Sequence, residues 1–305
     1  MVLHSNNKLL KTLCFSVLFT GTVLISYAQE LFVSTELTPS KSFTSGAEGP
    51  AVGRTGIVYA VNYAKQGTIG QITGDGKSSL FLELPSGSIG NGIRFDSKGN
   101  MLIADYTKHN ILKVNMLTKA VSVFAHNPKL SQPNDIAIDT KDRLFASDPN
   151  WKENTGRIWR IDTDGKFTLL DSMGTTNGIE VSPDNKSLYV NESVQRKVWK
   201  YDLNEKGEIS NKRLIHEFPD FGMDGMRCDV DGNLYITRHG KGTVAKLSPS
   251  GKLIREISTI GKLPSNIAFG GKDGRTAYIT LQDRGNMESF RVDQPGREWV
   301  MSKKK

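Results

Sequence analysis

Gly90-Asn91-Gly92-Ile93-Arg94-Phe95, then Asp96-Ser97-Lys98-Gly99-Asn100, then Met101-Leu102-Ile103-Ala104: this stretch decides the fold. Two short apolar runs flank five turn residues, the pattern of a β-hairpin. Ile111-Leu112-Lys113-Val114 and Val121-Ser122-Val123-Phe124 follow, so one unit holds four short strands. The unit's opening phrase is a small residue or proline, a carboxylate or carboxamide, and a run into an apolar strand. It returns as Ala47-Glu48-Gly49-Pro50, Pro133-Asn134-Asp135-Ile136, Thr176-Asn177-Gly178-Ile179, Met223-Asp224-Gly225-Met226 and Ser265-Asn266-Ile267-Ala268. From Glu48 onward the oxygen-bearing position advances by 43, 43, 43, 47 and 42 residues. A fixed period of that size marks a repeat architecture. Four antiparallel strands per repeat describe a β-propeller blade.

Six repeats therefore predict an all-β, six-bladed β-propeller. The last repeat supplies strands near residues 266–269, 277–280 and 287–292 but no fourth strand. The run Leu31-Phe32-Val33-Ser34-Thr35 is the spare strand expected to complete that blade and cover its edge. An open solenoid would need polar capping repeats, and none is apparent.

Residues 1–28 read separately. Lys8 and Lys11 precede an apolar run over residues 13–25, which ends at Ser26-Tyr27-Ala28. This is the pattern of a secretory signal peptide, with cleavage expected near Ala28 and export to a periplasmic or extracellular space. The apolar run is shorter than the roughly 20 residues a spanning helix needs, so no membrane insertion is expected. Residues 29–305 form one propeller domain. Cys14 lies in the leader, which leaves Cys228 as a single thiol and no internal disulfide. Setting Lys8 and Lys11 aside leaves 38 basic against 32 acidic residues, and Lys303-Lys304-Lys305 supply half of that excess. A basic tail of this kind is a solvated end, and no nucleic-acid partner is expected.

In a propeller the innermost strand of each blade begins at the repeated oxygen donor. Glu48, Asn91, Asn134, Asn177, Asp224 and Asn266 then ring one mouth of the central channel. Fourteen residues further on, Asn62, Asp105, Asp148, Asn191 and Arg238 return antiparallel beside their own blade's first ring. Two carboxylates facing one narrow channel repel unless a cation joins them. Carboxylate and carboxamide oxygens suit hard cations. His239, near the same mouth, reads as a loop histidine, with service as a base the alternative, and Trp151 either stacks on a sugar ring or covers its loop. Cys228 reads as a buried, inert thiol.

At these residues the chain resembles the regucalcin/gluconolactonase (senescence-marker-protein/gluconolactonase-like region) family of six-bladed propellers. The resemblance runs from Glu48 to Val292 and rests on Glu48-Gly49-Pro50, Pro133-Asn134-Asp135, Ser147-Asp148-Pro149, Asn177-Gly178-Ile179 and Asp224-Gly225-Met226. It implies that Glu48, Asn177 and Asp224 hold one divalent cation with Asn134 beside or on it, and that Asp224 is the catalytic proton-transfer residue. Calcium is the first choice of ion, with magnesium, manganese or zinc as alternatives. Gln132 stands where the regucalcin branch has an arginine, while Asp148-Pro149 is similar to the bacterial gluconolactonase branch. Gln132, Asn134, Asp148 and Arg238 are accordingly expected to contact substrate. The function implied is metal-dependent hydrolysis of a sugar-acid or related small lactone. The alternatives are a metal-dependent phosphotriesterase-type hydrolase on the same site and a non-enzymatic scaffold binding protein or glycan. The sequence leaves the particular lactone and the oligomeric state open.

Overall fold

Asp96 shows how a blade can turn its first corner. Its carboxylate accepts the N–H groups of Lys98 and Asn100 at 2.9 and 2.8 Å and the side-chain amide of Asn100 at 2.8 Å. Gly99, at φ +82°, supplies the left-handed residue that such a turn needs. Asp229, Asp231, Gly232 and Asn233 repeat the device in the fifth blade. In the third, Asp139 accepts the N–H groups of Lys141 and Arg143. The strands on either side are short and pair antiparallel, as in Phe95 with Met101 and Ile93 with Ile103.

The computed structural model describes residues 1–2 and 30–303. The expected signal peptide therefore lies, beyond Met1 and Val2, outside the described residues. Among the described residues the strands form six four-stranded antiparallel sheets in a ring, the expected six-bladed propeller. Blades one to five each use four consecutive strands, beginning at Phe43–Val52, Gly90–Phe95, Ile136–Ile138, Thr176–Val181 and Met226–Cys228. Blade six contains Pro264–Gly270, Thr276–Leu281 and Asn286–Arg291, completed by Thr35–Glu36 from the N-terminal side. The closing ladder is shorter and later than residues 31–35. Thr35 and Glu36 pair with Ser289 and Glu288, while Leu31 makes only an isolated parallel bridge to Arg291.

Apolar side chains on both faces of each sheet bury against the neighbouring blades. Val61 and Ile69 of blade one meet Ile93, Ile103 and Leu112 of blade two. Equivalent clusters continue round the ring, and the last joins Tyr278 and Met287 of blade six to Phe43, Ala60 and Ile72 of blade one. At about 1.5–3 kcal/mol for each fully buried large aliphatic or aromatic side chain, these clusters supply the main force holding the ring. Cys228 belongs to one of them and is buried.

The axis differs from the interfaces because its inner strands present charge. Three residues after their ring positions stand Arg94, Glu180 and Arg227, all buried. Arg94 and Arg227 both engage Asp135, the latter at 2.9 Å. The helix Arg297–Lys303, which the strand periodicity did not foretell, brings Glu298 to Arg94 and Arg227 and Arg297 to Glu180. Three arginines thus balance Asp135, Glu180 and Glu298 on the axis.

Candidate active site

Adjacent inner strands touch where the repeated phrase has its glycines. Gly92 and Gly178 donate their N–H groups to the main-chain carbonyls of Asn134 and Asp224, at 2.9 and 3.1 Å. A Cβ on Gly178 would lie 2.5 Å from the Asp224 carbonyl, and one on Gly225 would lie 2.0 Å from the Asn266 side chain. The small residue after the oxygen donor is therefore what lets successive blades close to hydrogen-bonding distance at the channel mouth.

This stitching brings Glu48, Asn91, Asn134, Asn177 and Asp224 to one cavity of about 420 Å³. All four expected cation ligands line it. Asn266 sits beneath, donating its side-chain amide to Glu48 Oε2 at 3.0 Å, and Gly49 N–H donates to the same oxygen at 2.6 Å. Glu48, Asn134 and Asn177 are 5%, 5% and 2% exposed, whereas Asp224 keeps more access to the cavity. Burial, followed by the charge of Asp135 opposing it, raises the Glu48 carboxyl to about 7. Burial also holds Asp224 well above the ordinary aspartate range, and the Glu48 charge adds to it. The amide oxygens of Asn134 and Asn177 are buried without a hydrogen-bond donor among the described residues. With Asn91 Oδ1, which lines the cavity and is likewise unsatisfied, three carbonyl oxygens beside two mutually repelling carboxylates form an all-oxygen donor set with a formal charge of −2. Such a set fits a hard divalent cation.

The rim comes from the turns between second and third strands. Gln66, Tyr106, Thr107, Trp151, Ser193, His239 and Gln282 line the cavity, so every blade contributes from the same turn. His239 Nε2 lies 3.2 Å from Gln282 Oε1. These positions follow the second-ring residues by one or a few places, a signal legible once the period is known.

Three expected substrate contacts lie elsewhere. Asp148 is fully buried: one oxygen accepts the N–H groups of Ser131 and Gln132 at 2.7 Å each, and the other meets Trp159 Nε1 and Arg157. Arg238 is also fully buried, paired with Asp220 and Glu256 and stacked 3.6 Å over the Phe218 ring. Both side chains are spent on internal partners and do not line the cavity. Gln132 lines a neighbouring cleft instead. Of the other second-ring residues, Asn62 reaches the cavity. Asp105 is fully buried and accepts from Ser88 and Asn110, and Asn191 donates to the Asp224 carbonyl.

Residues 47–283 match the family model described as SMP-30/Gluconolactonase/LRE-like region. A gluconolactonase of Zymomonas mobilis is 28% identical over 287 residues, covering 82% of this chain and 80% of that protein. The diisopropyl-fluorophosphatase of Loligo vulgaris is 25% identical over 286 residues, covering 83% of this chain and 91% of that protein. Among solved structures, a calcium-binding protein, regucalcin, from Agrobacterium tumefaciens aligns with a TM-score of 0.73 at 19% identity. The alignment covers 88% of this chain and 97% of that one, and at that identity it bears on the fold.

Proposed function

The chain belongs to the SMP-30/gluconolactonase/LRE-like family, and we propose on that footing that it is a metal-dependent hydrolase opening a sugar-acid or related small lactone at the channel mouth. The observation that carries this reading is the donor set itself: Glu48 and Asp224 with the unsatisfied amide oxygens of Asn134 and Asn177, all lining one cavity. Glu48, Asn177 and Asp224, with Asn134 beside them, would hold the cation, calcium first among the oxygen-preferring ions. Once bound, a divalent ion polarises a carbonyl and lowers the pKa of attached water.

The chain's own residues supply the rest. Asp224, the most accessible of the four, accepts a proton from the water whose oxygen adds to the lactone carbonyl carbon. It returns that proton to the ring oxygen as the ring C–O bond breaks, so lactone and water become one hydroxy acid. Asn266 and Gly49 hold Glu48 in place, and the rim residues confine the substrate.

A panel of sugar lactones, assayed on metal-stripped and reloaded protein, tests this reading. Turnover that appears only on reloading and vanishes in Asp224→Ala supports it, and a wholly inert loaded protein overturns it. The similarity to the squid fluorophosphatase favours a second reading, phosphotriester hydrolysis at the same donors. A fluorophosphate substrate on the same panel separates the two. We further propose that the protein is exported after cleavage near Ala28. Intact-mass measurement of secreted material starting near Gln29 would support this.

A further inference from the structure

Next to the metal-site cavity lies a second cleft of about 530 Å³, lined by Tyr106, Ser131, Gln132, Asn150, Trp151 and Lys152. Tyr106 and Trp151 line both spaces. They form the partition between an inner compartment that holds the chemistry and an outer one that does not.

The outer cleft is built rather than incidental. In blade three the second and third strands, Leu144–Asn150 and Thr155–Ile161, stay paired right up to the turn, Asn150 with Thr155. The turn at residues 151–154 is fastened twice, by Glu153 N–H to Asn150 Oδ1 at 3.2 Å and by Gln195 Nε2 to the Asn154 carbonyl at 3.0 Å from blade four. Trp151 is therefore held out at the rim, 37% exposed, on a supported hairpin. The floor is fixed as well. Buried Asp148 grips the Ser131 and Gln132 N–H groups, and Arg157 donates to Ser131 Oγ at 2.8 Å. A buried aspartate thus fixes the floor of this cleft without lining it.

The lining is an aromatic face, two carboxamides, a hydroxyl and a single cation, with no carboxylate. Aromatic faces with neutral donors and acceptors match a sugar ring, whereas one exposed lysine is a sparse site for a phosphate or sulfonate. Resting on the lactonase reading above, we propose that the outer cleft is a second sugar subsite, and that the preferred substrate is a glycosylated aldonolactone. The lactone ring sits at Glu48 and Asp224, and the attached neutral sugar stacks on Trp151 across the partition.

The test compares kcat/KM of the metal-loaded protein for a glucosyl-gluconolactone, plain gluconolactone and a phosphorylated gluconolactone. The two-ring lactone is expected to be preferred several-fold, up to about tenfold, the worth of one good aromatic contact. Trp151→Ala should erase that ratio and Trp151→Phe should keep most of it. No preference, a preference for the phosphorylated ring, or a ratio unaffected by Trp151→Ala would each overturn the subsite. If no lactone is opened, it is the hydrolase reading that fails. Calorimetric binding of glucosyl-gluconic acid against gluconic acid, on wild type and Trp151→Ala, then decides the subsite alone: tighter binding that needs Trp151 supports it, and equal binding refutes it.

Discussion

The side-chain amide of Asn191 donates to the main-chain carbonyl of Asp224 at 2.7 Å. A residue ending the second strand of blade four thereby sets the position of the acid that opens blade five. Gly178 N–H reaches the same carbonyl, so the backbone of Asp224 is anchored by two groups of the preceding blade.

Asn191→Ala should accordingly weaken cation binding and turnover without touching the ion or substrate. The lost hydrogen bond is worth about 1 kcal/mol of stability, which a denaturant titration would detect. Cation affinity measured by calorimetry should fall several-fold more than that loss of stability alone would suggest. Unchanged affinity would show that Gly178 suffices.

The second prediction concerns the inner glycines. Gly225→Ala forces a methyl group into Asn266; overpacking of this kind costs about 1–3 kcal/mol. Melting temperature and cation binding should both drop. Gly74, where an added Cβ would meet nothing within 4 Å and φ is not left-handed, is the control: its alanine variant should match wild type.

Ligand removal gives the third. A cation that binds only the folded state adds about 2.7 kcal/mol of stability at a hundredfold excess over its Kd, seen as a concentration-dependent rise in Tm. Asp224→Asn and Asn177→Ala should flatten that rise. Asp148→Asn should leave it standing even if the protein is less stable, because Asp148 does not reach the cavity.

The metal-free protein should also lose stability as pH rises from about 4.5 to 7. Glu48 and Glu180 both go from the ordinary glutamate value of 4.5 to about 7, driven first by burial. The folded state thus binds more protons than the unfolded state in that window. Their contribution is full below the unfolded value and is lost as pH climbs through the folded one, about 3 kcal/mol for a single such group. Glu48→Gln should reduce the slope. Saturating calcium should reverse the Glu48 part, because the ion binds the deprotonated form. A metal-free protein that gains stability across this range would contradict the assignment.

The blades were legible because a fixed period with turn residues at each corner has few other physical solutions. The ring of six oxygen donors from Glu48 to Asn266 was legible for the same reason, whereas the choice of Glu48, Asn134, Asn177 and Asp224 among them came from the family resemblance. Counting fourteen residues onward located Asp148 and Arg238 along their hairpins but not what they touch. The groups that engage Arg238, Asp220 and Glu256, each lie 18 residues away in other segments, and no local pattern joins them. The axial charges left a clear trace in the third residue after the ring position, at Arg94, Glu180 and Arg227, yet a lone charge within an apolar strand is not self-explanatory until its partners are known. The helix Arg297–Lys303 is seven residues long, too short for helical periodicity to register.

Those axial charges carry the fifth prediction. Arg227→Met leaves Asp135 with its longer ion pair to Arg94 and the Ile136 N–H, and breaking one half of a buried pair costs about 3–5 kcal/mol. Adding Asp135→Asn should recover part of the loss. A double variant no more stable than the single one would show that the two residues act independently.

The pairing of Thr35 and Glu36 with Ser289 and Glu288 joins residues more than 250 positions apart. Contacts of such long sequence separation carry a large loop-closure entropy and belong to slow folding steps. Five blades can form from neighbouring chain, but the sixth must wait until both ends of the polypeptide meet. Until then the strand Asn286–Arg291 presents an open edge on which another molecule's strand can dock. The hazardous moment in the life of this protein is therefore the interval before its clasp shuts, and clipping the few residues around Thr35 would make that interval permanent.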